Sequence, residues 1–326
     1  MKVAAYEAMN WPDVEELLRK STLNRLLTHK QFVASQVREL VVARAAGTFA
    51  NDRTLAWVAL RDQHVAGAIT ATDLPWDSTQ LGMPAARLDY LVAENIDGTA
   101  LGIKSHLIRE ALSDARLSRM QHITARVDAH DISSIHALEQ NGFITVDGIL
   151  TLARTVPPDP MQHAASDIEV RLAGPQDADA AAALARVAFK YDRFHSDPAI
   201  PAATADNLHA EWLRNSCSGN AADAVLLAFS RGKLAGFITC KIQSDTRTYL
   251  GKTIGTIVLV ATAADYRGRG VAMETTMASL EWFRKHGVDW VEVGTQFRNI
   301  PAARLYQRCG FEIVAASFSL RRLGER

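Results

Sequence analysis

The segment "TIVLVATAADYRGRGVAMETTM", Thr256–Met277, joins a strand pattern to a helix pattern through a turn rich in glycine and arginine. Its first seven residues are mostly apolar and β-branched, which is typical of a buried strand. From Val271, apolar residues recur near helical spacing until Gly287 ends the pattern. The first amides of a helix have no partners within it and lie at the positive end of its dipole. The junction therefore predicts an anion site.

The turn itself suits a phosphate. Gly268 and Gly270 let a ligand approach the backbone closely, and Arg267 and Arg269 add positive charge. An ordinary solvated turn is the alternative, since glycine and arginine are both common in turns. The P-loop of nucleotide hydrolases is excluded because no lysine followed by Ser/Thr comes after the last glycine. The dinucleotide fingerprint G-x-G-x-x-G fails at Met273.

The pattern Arg-x-x-Gly-x-Ala at Arg267, Gly270 and Ala272 resembles the pyrophosphate loop of the GNAT superfamily of N-acetyltransferases. A second match follows in "VDWVEVGTQFRNIPAARLYQRCGFEIV", Val288–Val314. There a strand leads to an asparagine, a short helix with Leu-Tyr, and then Gly-Phe. The two matches come in the order that the family has. The resemblance implies the GNAT fold, acetyl-CoA as cosubstrate, and transfer of an acetyl group to an amine.

The resemblance also assigns the acetyl-CoA site. The end of the strand would pair with the pantetheine, and one of its amides would polarise the acetyl carbonyl. The asparagine can hold CoA, cap the following helix with Pro301 in the first turn, or do both. The cofactor-binding residues implied are Val260, Ala261, Thr262, Arg267, Gly268, Arg269, Gly270, Val271, Ala272, Met273 and Asn299.

Two residues are predicted to be catalytic. Tyr306 matches the general acid of the family, because a phenol with a pKa near 10 can protonate the leaving thiolate. A tyrosine on an amphipathic helix also commonly lies at the edge of a core, which is the alternative. Many relatives have a glutamate five residues before the asparagine, where this chain has Gly294. Glu292 can act as the base or be a buried ion-pair partner, and the amine can also lose its proton through ordered water.

The same order of elements occurs twice along the chain. "DISSIHALEQNGF" (131–143) overlays "NIPAARLYQRCGF" (299–311) from the shared Gly-Phe. The fold class expected is α/β (α+β), with two tandem GNAT-like domains, each a mixed, mostly antiparallel sheet flanked by helices. The predicted division is a degenerate domain at 1–155, a linker rich in Pro and small polar residues at 156–166, and a catalytic domain at 167–326.

The first half differs from the second at four functional positions. Arg267, Gly270, Asn299 and Tyr306 correspond to Asp97, Ala100, Asp131 and Leu138. A carboxylate at the mouth of a pyrophosphate site repels the ligand, and leucine has no acidic hydrogen. We therefore expect the first domain not to bind CoA, so that one chain binds one CoA.

Composition limits the partners. The 326 residues are 48% apolar and 22% charged, with a formal net charge of zero, so neither nucleic acid nor a membrane surface is an expected partner. The three cysteines have no metal-ligand spacing and the ten histidines are dispersed, so no metal site is expected. No signal peptide or membrane span is found, which predicts a cytoplasmic protein. The oligomeric state is left open.

The acceptor is suggested by segments outside these motifs. "LPWDSTQLGMPAARL" (74–88), "DRFHSDPAI" (192–200) and "AEWLRNS" (210–216) resemble the dTDP-fucosamine acetyltransferase group, which implies a small-molecule amine on a nucleotide-linked sugar. Leu81-Gly82 departs from that group, which commonly has an aromatic residue before the glycine. The segment 191–217 is expected to be a long connection and a helix that orders on acceptor binding. Candidate contacts are Arg193, His195 and Arg214 for phosphates, and Trp76 or Trp212 for stacking.

Three alternatives stay open at this point. The acceptor can be another small amine, such as an amino-thiol glycoside, or it can be a protein N-terminus. The chain can also be a non-catalytic module that binds CoA or serves as a scaffold.

Overall fold

A computed structural model of the protein describes residues 1–21, 24–96, 98–160 and 167–324. Helices and strands alternate along the chain, and the described backbone forms two compact units. Unit 1 comprises Met1–Gly148 and Ala315–Arg326, and unit 2 comprises Ile149–Val314. Among the described residues, no helix combines the length and apolarity needed to cross a bilayer.

The elements in the first half of the sequence are β1 (Lys2–Ala5), α1 (Trp11–Lys20), α2 (Ala34–Phe49), β2 (Thr54–Arg61), β3 (His64–Asp73), α3 (Pro75–Leu81), β4 (Ala85–Ala93), α4 (Ala100–Ser113), β5 (His122–Asp128), α5 (Ile132–Gln140) and β6 (Ile144–Thr155). Those in the second half are β7 (Ile168–Leu172), α6 (Ala178–Ala188), α7 (Arg193–Ser196), α8 (Ala202–Cys217), β8 (Ala224–Ser230), β9 (Lys233–Gln243), α9 (Asp245–Leu250), β10 (Ile254–Thr262), α10 (Val271–Lys285), β11 (Trp290–Gln296), α11 (Ile300–Arg308) and β12 (Glu312–Leu323).

Each unit takes one strand from the other half of the sequence. In unit 2, residues 149–155 of β6 pair antiparallel with β11, and in unit 1, residues 317–323 of β12 pair antiparallel with β5. The bounds of the compact units therefore differ from the predicted division at 155 and 167. The difference arises because β6 and β12 each pair with a strand that is distant in sequence. In the predicted linker, residues 161–166 lie outside the described residues.

The sheet of unit 2 has the order β7-β8-β9-β10-β11-β6, in which only β10 and β11 run parallel. Apolar residues of α6 and α8 pack on one face, and those of α10 and α11 pack on the other. This mixed, mostly antiparallel sheet between helices confirms the predicted fold class. The fully buried Phe283 of α10 lies against Gly255 of β10, where a Cβ would come within 2.6 Å of the ring.

Unit 1 has the corresponding arrangement. Its sheet order is β1-β2-β3-β4-β5-β12, with β4 and β5 as the parallel pair. The helix α4 packs on one face through Ile103 and Leu107, and α1 and α2 pack on the other through Leu18 and Val42. The repeat seen in the sequence is therefore a repeat of structure.

A β-bulge interrupts the strand that precedes the glycine-rich turn. Between Ile257 and Val260, β10 advances three residues while β9 advances two. The parallel ladder with β11 ends at the same point, at Ile257 opposite Val293. A bulge bends its strand and increases the local twist, so β10 leaves β11 here. A bulge on β4 between the partners of Ala68 and Thr70 accompanies the end of the β4–β5 ladder in unit 1.

Candidate active site

The glycine-rich turn lies on the surface of unit 2, at the start of α10. Arg267, Gly268, Arg269 and Gly270 are all exposed. The two glycines have φ values of +74° and +84°, which an L-residue adopts only with strain. Gly270 is the N-cap of α10, and no side chain caps this end of the helix. Its first amides are therefore available to a ligand at the positive end of the dipole.

The arginines of the turn form no ion pair with a carboxylate of the part of the chain that the structure describes. Arg267 forms no ion pair with any described residue, and the Arg269 guanidinium lies 5.8 Å from the centre of the Tyr266 ring. Both charges thus face solvent beside the uncapped helix. After the turn, Val271 is buried, and Ala272 and Met273 are half-buried. The predicted anion site therefore has the exposure, charge and free amides that a pyrophosphate needs.

The strand residues assigned to the cofactor lie beyond the bulge. Val260, Ala261 and Thr262 are half-buried and pair with β9 on one side. On the other side, no ladder to β11 continues past Ile257 in the described chain. The edge of β10 that faces away from β9 therefore carries backbone groups to which an extended ligand can hydrogen-bond. The glycine-rich turn follows this strand in the chain.

Asn299 caps the helix that follows β11. Its side-chain Oδ1 accepts a hydrogen bond from the amide of Ala302 at 3.3 Å, and Pro301 lies in the first turn. The capping role is thus present. The Asn299 amide nitrogen has no partner among the described residues, so the same side chain can still donate to a ligand.

Tyr306 is buried in the cluster under α10 and α11. Only 3% of it is exposed, and its ring centre lies 5.8 Å from that of Phe311. Val260 and Met273 pack against the same cluster, so the structure brings three predicted site residues together. Burial, with a smaller effect of Cys309, raises the pKa of Tyr306 well above its ordinary value of 10. None of the described residues hydrogen-bonds to its hydroxyl.

The predicted base lies on β11. Glu292 is buried, makes a polar contact within the protein, and is flanked in the sheet by Thr256 and Ala153. Gly294 is exposed, and a Cβ there would meet only Ile149, at 3.6 Å. The position where many GNAT proteins have a glutamate is therefore open space.

Several predicted acceptor contacts are engaged elsewhere. His195 is hydrogen-bonded through both ring nitrogens to Asp192 and Asp206, at 2.6 and 3.0 Å. Arg214 pairs with Asp179 and with Glu211. Each side chain therefore already has carboxylate partners, and the predicted phosphate contacts stay a prediction.

The remaining acceptor candidates lie in two different places. Trp212 stacks on His209 with 6.4 Å between ring centres, and the Arg193 guanidinium lies 4.4 Å from the centre of the Phe194 ring. Both are in unit 2, whereas Trp76 lies in α3 of unit 1.

The segment 191–217 is more structured than predicted. It forms α7 and the 16-residue α8, which are anchored by buried apolar residues such as Phe194, Ile200 and Leu208. At the end of α7, the hydroxyl of Ser196 is hydrogen-bonded by Arg298, the residue before Asn299. The segment therefore contacts the loop that carries the capping asparagine.

In unit 1, the corresponding positions have different chemistry. Asp131 caps α5 by accepting from the amide of Ser134 at 3.0 Å, and it forms a buried ion pair with Lys104. Ala100 and Leu138 are buried. Asp97 lies outside the described residues. The sequence overlay did not predict the Lys104 pair, because the corresponding residue in the second half is Glu274.

Comparisons with known proteins agree with this geometry. Residues 189–311 match the acetyltransferase (GNAT) family. The chain is 26% identical over 246 residues to the spore coat polysaccharide biosynthesis protein SpsD of Bacillus subtilis (strain 168), which covers 75% of this chain and 80% of that protein. It is also 26% identical over 243 residues to the dTDP-fucosamine acetyltransferase of Escherichia coli O6:H1 (strain CFT073), covering 73% and 98%.

A solved structure shares the tandem organisation. A tandem GNAT protein from the clavulanic acid biosynthesis pathway superposes with a TM-score of 0.57 at 15% identity, covering 100% of this chain and 99% of that chain. At this identity the similarity concerns the fold. The family match shows a GNAT acetyltransferase domain at residues 189–311, and the solved structure agrees with it in fold.

Proposed function

We propose that this N-acetyltransferase moves an acetyl group from acetyl-CoA to the amine of a nucleotide-linked amino sugar. The observation that carries the proposal is the open edge of β10 after the bulge. It leads into an uncapped helix start with two arginines that form no ion pair with the described residues. An extended ligand with an anionic group at one end would fit here, with its extended part along the edge of β10 and its anionic group at the turn. Acetyl-CoA has that shape, with pantetheine and pyrophosphate in the same order.

Each part of the turn has a role in holding the cofactor. The amides at the start of α10 bind the pyrophosphate, and Arg267 and Arg269 supply charge. Val260, Ala261 and Thr262 bind the pantetheine through their backbone, which places the thioester near Tyr306. A backbone amide of this strand polarises the acetyl carbonyl.

Transfer then needs one bond to form and one to break. The amine nitrogen attacks the thioester carbonyl carbon, and the bond from carbon to sulfur breaks. The leaving thiolate takes a proton from the Tyr306 hydroxyl, since a phenol is protonated at neutral pH. The attacking amine gives up its proton to Glu292 or to solvent.

The relatives and the geometry both favour a sugar nucleotide as acceptor. The E. coli relative is a dTDP-fucosamine acetyltransferase, and the B. subtilis relative takes part in polysaccharide biosynthesis. Here the exposed Gly294 leaves room for a bulky acceptor beside β11. Arg298 is exposed and has no ion pair in the described chain, so we assign it to a phosphate of the acceptor.

We further propose that unit 1 does not bind CoA. A cleft of about 800 Å³ reaches the start of α4, and it is lined by four carboxylates, from Asp13, Glu16, Glu94 and Asp131, and by two lysines, Lys20 and Lys104. Lys104 lies in the second turn of α4, and Asp131 already neutralises it. A pyrophosphate would therefore meet net negative charge.

The acceptor is tested by measuring released thiol from acetyl-CoA with a panel of amines. The panel contains dTDP- and UDP-linked amino sugars, the same sugars without nucleotide, polyamines, aminoglycosides and peptides with a free N-terminus. We expect the nucleotide-linked sugars to give the highest kcat/KM, and Arg298→Ala to raise their KM. Arg231→Ala, an exposed arginine in the β8–β9 turn, is the matched control. Faster transfer to peptides or polyamines would contradict the proposed acceptor but not the transferase activity.

A further inference from the structure

Three side chains of unit 2 converge on one point between α7 and α8. The Nδ1 of His195 lies 2.6 Å from Asp192 Oδ2, and the Nε2 of His209 lies 3.8 Å from the same oxygen. The ligand atoms that the three residues offer all lie within 4.8 Å of one another. The side chains of Asp192 and His209 are largely buried, since His209 is 2% exposed and the Asp192 side chain is 12% exposed.

The outward-facing atoms of the same three residues already have partners. His209 donates from Nδ1 to the carbonyl oxygen of Ala205 at 2.8 Å, and His195 Nε2 lies 3.0 Å from Asp206 Oδ1. Asp192 Oδ1 accepts from the amides that begin α7, at 2.9 and 3.3 Å. The bond to the Ala205 carbonyl requires the proton of His209 to be on Nδ1, so His209 Nε2 can act as a ligand and faces Asp192 Oδ2, as does His195 Nδ1.

This is the arrangement of a metal site with its outer hydrogen bonds in place. Histidines that bind a metal usually donate their other N–H to a carboxylate or a backbone carbonyl. A tetrahedral zinc ion with bonds near 2.0–2.1 Å places its ligand atoms roughly 3.3 Å apart. The distances from Asp192 Oδ2 to His195 Nδ1 (2.6 Å) and to His209 Nε2 (3.8 Å) lie on either side of that value. In the metal-free protein a hydrogen bond joins His195 Nδ1 to Asp192 Oδ2, and a cation bound between the two rings and the carboxylate would take the place of that hydrogen.

We propose that Asp192, His195 and His209 bind one divalent metal ion, zinc by the chemistry of its ligands. Two imidazole nitrogens and one carboxylate oxygen are borderline donors that suit zinc better than magnesium or calcium. The ion sits among aromatic rings, since Phe189 stacks on His209 with 4.3 Å between ring centres. Three protein ligands leave one position for a solvent molecule.

The structure indicates what this ion stabilises. α7 has only four residues, and the ion joins its N-cap and first turn to the middle of α8. The last residue of α7, Ser196, is the partner of Arg298. The metal therefore holds the element that contacts the loop before Asn299, and its role is structural, without part in the chemistry of acetyl transfer.

The test is zinc binding to full-length protein that has been dialysed against a chelator. Competition with a chromophoric chelator gives the affinity and stoichiometry, and Co²⁺ in place of Zn²⁺ gives a visible spectrum that reports four-coordinate binding. We expect one zinc per chain, a thermal midpoint raised by zinc, and intense Co²⁺ bands. No zinc binding by the dialysed protein, or a Co²⁺ spectrum of six-coordinate type, would overturn the proposal.

Variants separate the site from general effects on folding. Asp192→Asn retains a cap for the α7 amides but removes the anionic ligand, and His209→Gln removes a nitrogen ligand. Both should weaken zinc binding at least about 100-fold, while Asp206→Asn should weaken it about 10–100-fold as an outer partner. His286→Gln is the matched control, because His286 Nδ1 also bonds a carbonyl four residues earlier, at 2.7 Å, and its ring also stacks on an aromatic. Equal zinc affinity in His209→Gln and His286→Gln would refute the site.

Discussion

Lys104 Nζ lies 2.8 Å from one carboxylate oxygen of Asp131 and 3.0 Å from the other, and both side chains are buried in unit 1. The hydroxyls of Ser133 and Ser134 complete the contacts of the ammonium group, at 2.9 and 2.8 Å. In the overlay, Asp131 occupies the position of Asn299, the capping residue beside the proposed cofactor site. Where unit 2 has an amide with donors to spare, unit 1 therefore has a carboxylate that is fully committed to its own fold.

Replacing the lysine should destabilise unit 1 strongly. Lys104→Met leaves Asp131 as an unpaired buried charge, which costs about 3–5 kcal/mol of unfolding free energy. The double variant Lys104→Met/Asp131→Asn should recover most of that loss, because Asn can still cap α5. Urea unfolding measures all three. Lys20→Met is the control, since Lys20 forms an exposed pair with Glu16 and should change little. Equal effects of Lys104→Met and Lys20→Met would contradict the prediction.

The same pair predicts a dependence on pH. Burial acts to raise the pKa of Asp131, but the charge and hydrogen bond of Lys104 outweigh it, so the pKa is lowered from 3.8. A lowered carboxyl pKa stabilises the folded state above the unfolded pKa, and the effect is lost as pH falls through the folded value. The stability difference between wild type and Lys104→Met should therefore shrink below about pH 4. A difference that stays constant down to pH 2 would count against the ionised pair.

The glycine-rich turn can be blocked with little change to the rest of the fold. Gly270→Glu adds a carboxylate beside the uncapped helix start and forces an L-residue to φ +84°. We expect acetyl-CoA binding by calorimetry to disappear. Gly219→Glu places the same charge at φ +80° in an open position outside the turn, so it controls for strain and charge. Loss of binding in both variants would trace the effect to stability, and binding by Gly270→Glu would refute the assigned site.

Tyr306→Phe tests the proposed acid. The hydroxyl has no described hydrogen bond and the ring is packed in the core, so the variant should keep its stability and bind acetyl-CoA within a few-fold of wild type. Its kcat should fall about 10²–10⁴-fold, the range usual for a general acid. Tyr249→Phe in α9 is the control for loss of a phenol elsewhere. An unchanged kcat in Tyr306→Phe would show that Tyr306 is only a core residue.

The site was predictable where its signals are local. A strand pattern, two glycines and a helix pattern follow one another within a short segment. The conformational preferences of these residues do not depend on contacts with distant parts of the chain. The structure agrees with the segment, with β10 ending at Thr262 and α10 beginning at Val271. The bulge after Ile257 was not predicted, because it depends on the register with β9.

The parts that sequence analysis missed depend on contacts between distant residues. No local pattern predicts that β6 pairs with β11 and β12 with β5, since an alternating strand pattern does not specify which strand lies next to it. His195 and His209 are fourteen residues apart and lie on different helices, so no histidine spacing pointed to them. The ion pairs of His195 with Asp206 and of Arg214 with Asp179 were likewise not predicted, because each joins two different helices.

The number of acetyl-CoA molecules bound per chain tests the central claim most directly. The claim is that the turn at Arg267–Met273 binds the cofactor and that unit 1, with its committed Asp131 and acidic cleft, does not. Isothermal titration of the full chain with acetyl-CoA should give one site, and the Gly270→Glu variant should give none. Two sites per chain, or one site that persists in Gly270→Glu, would contradict the account.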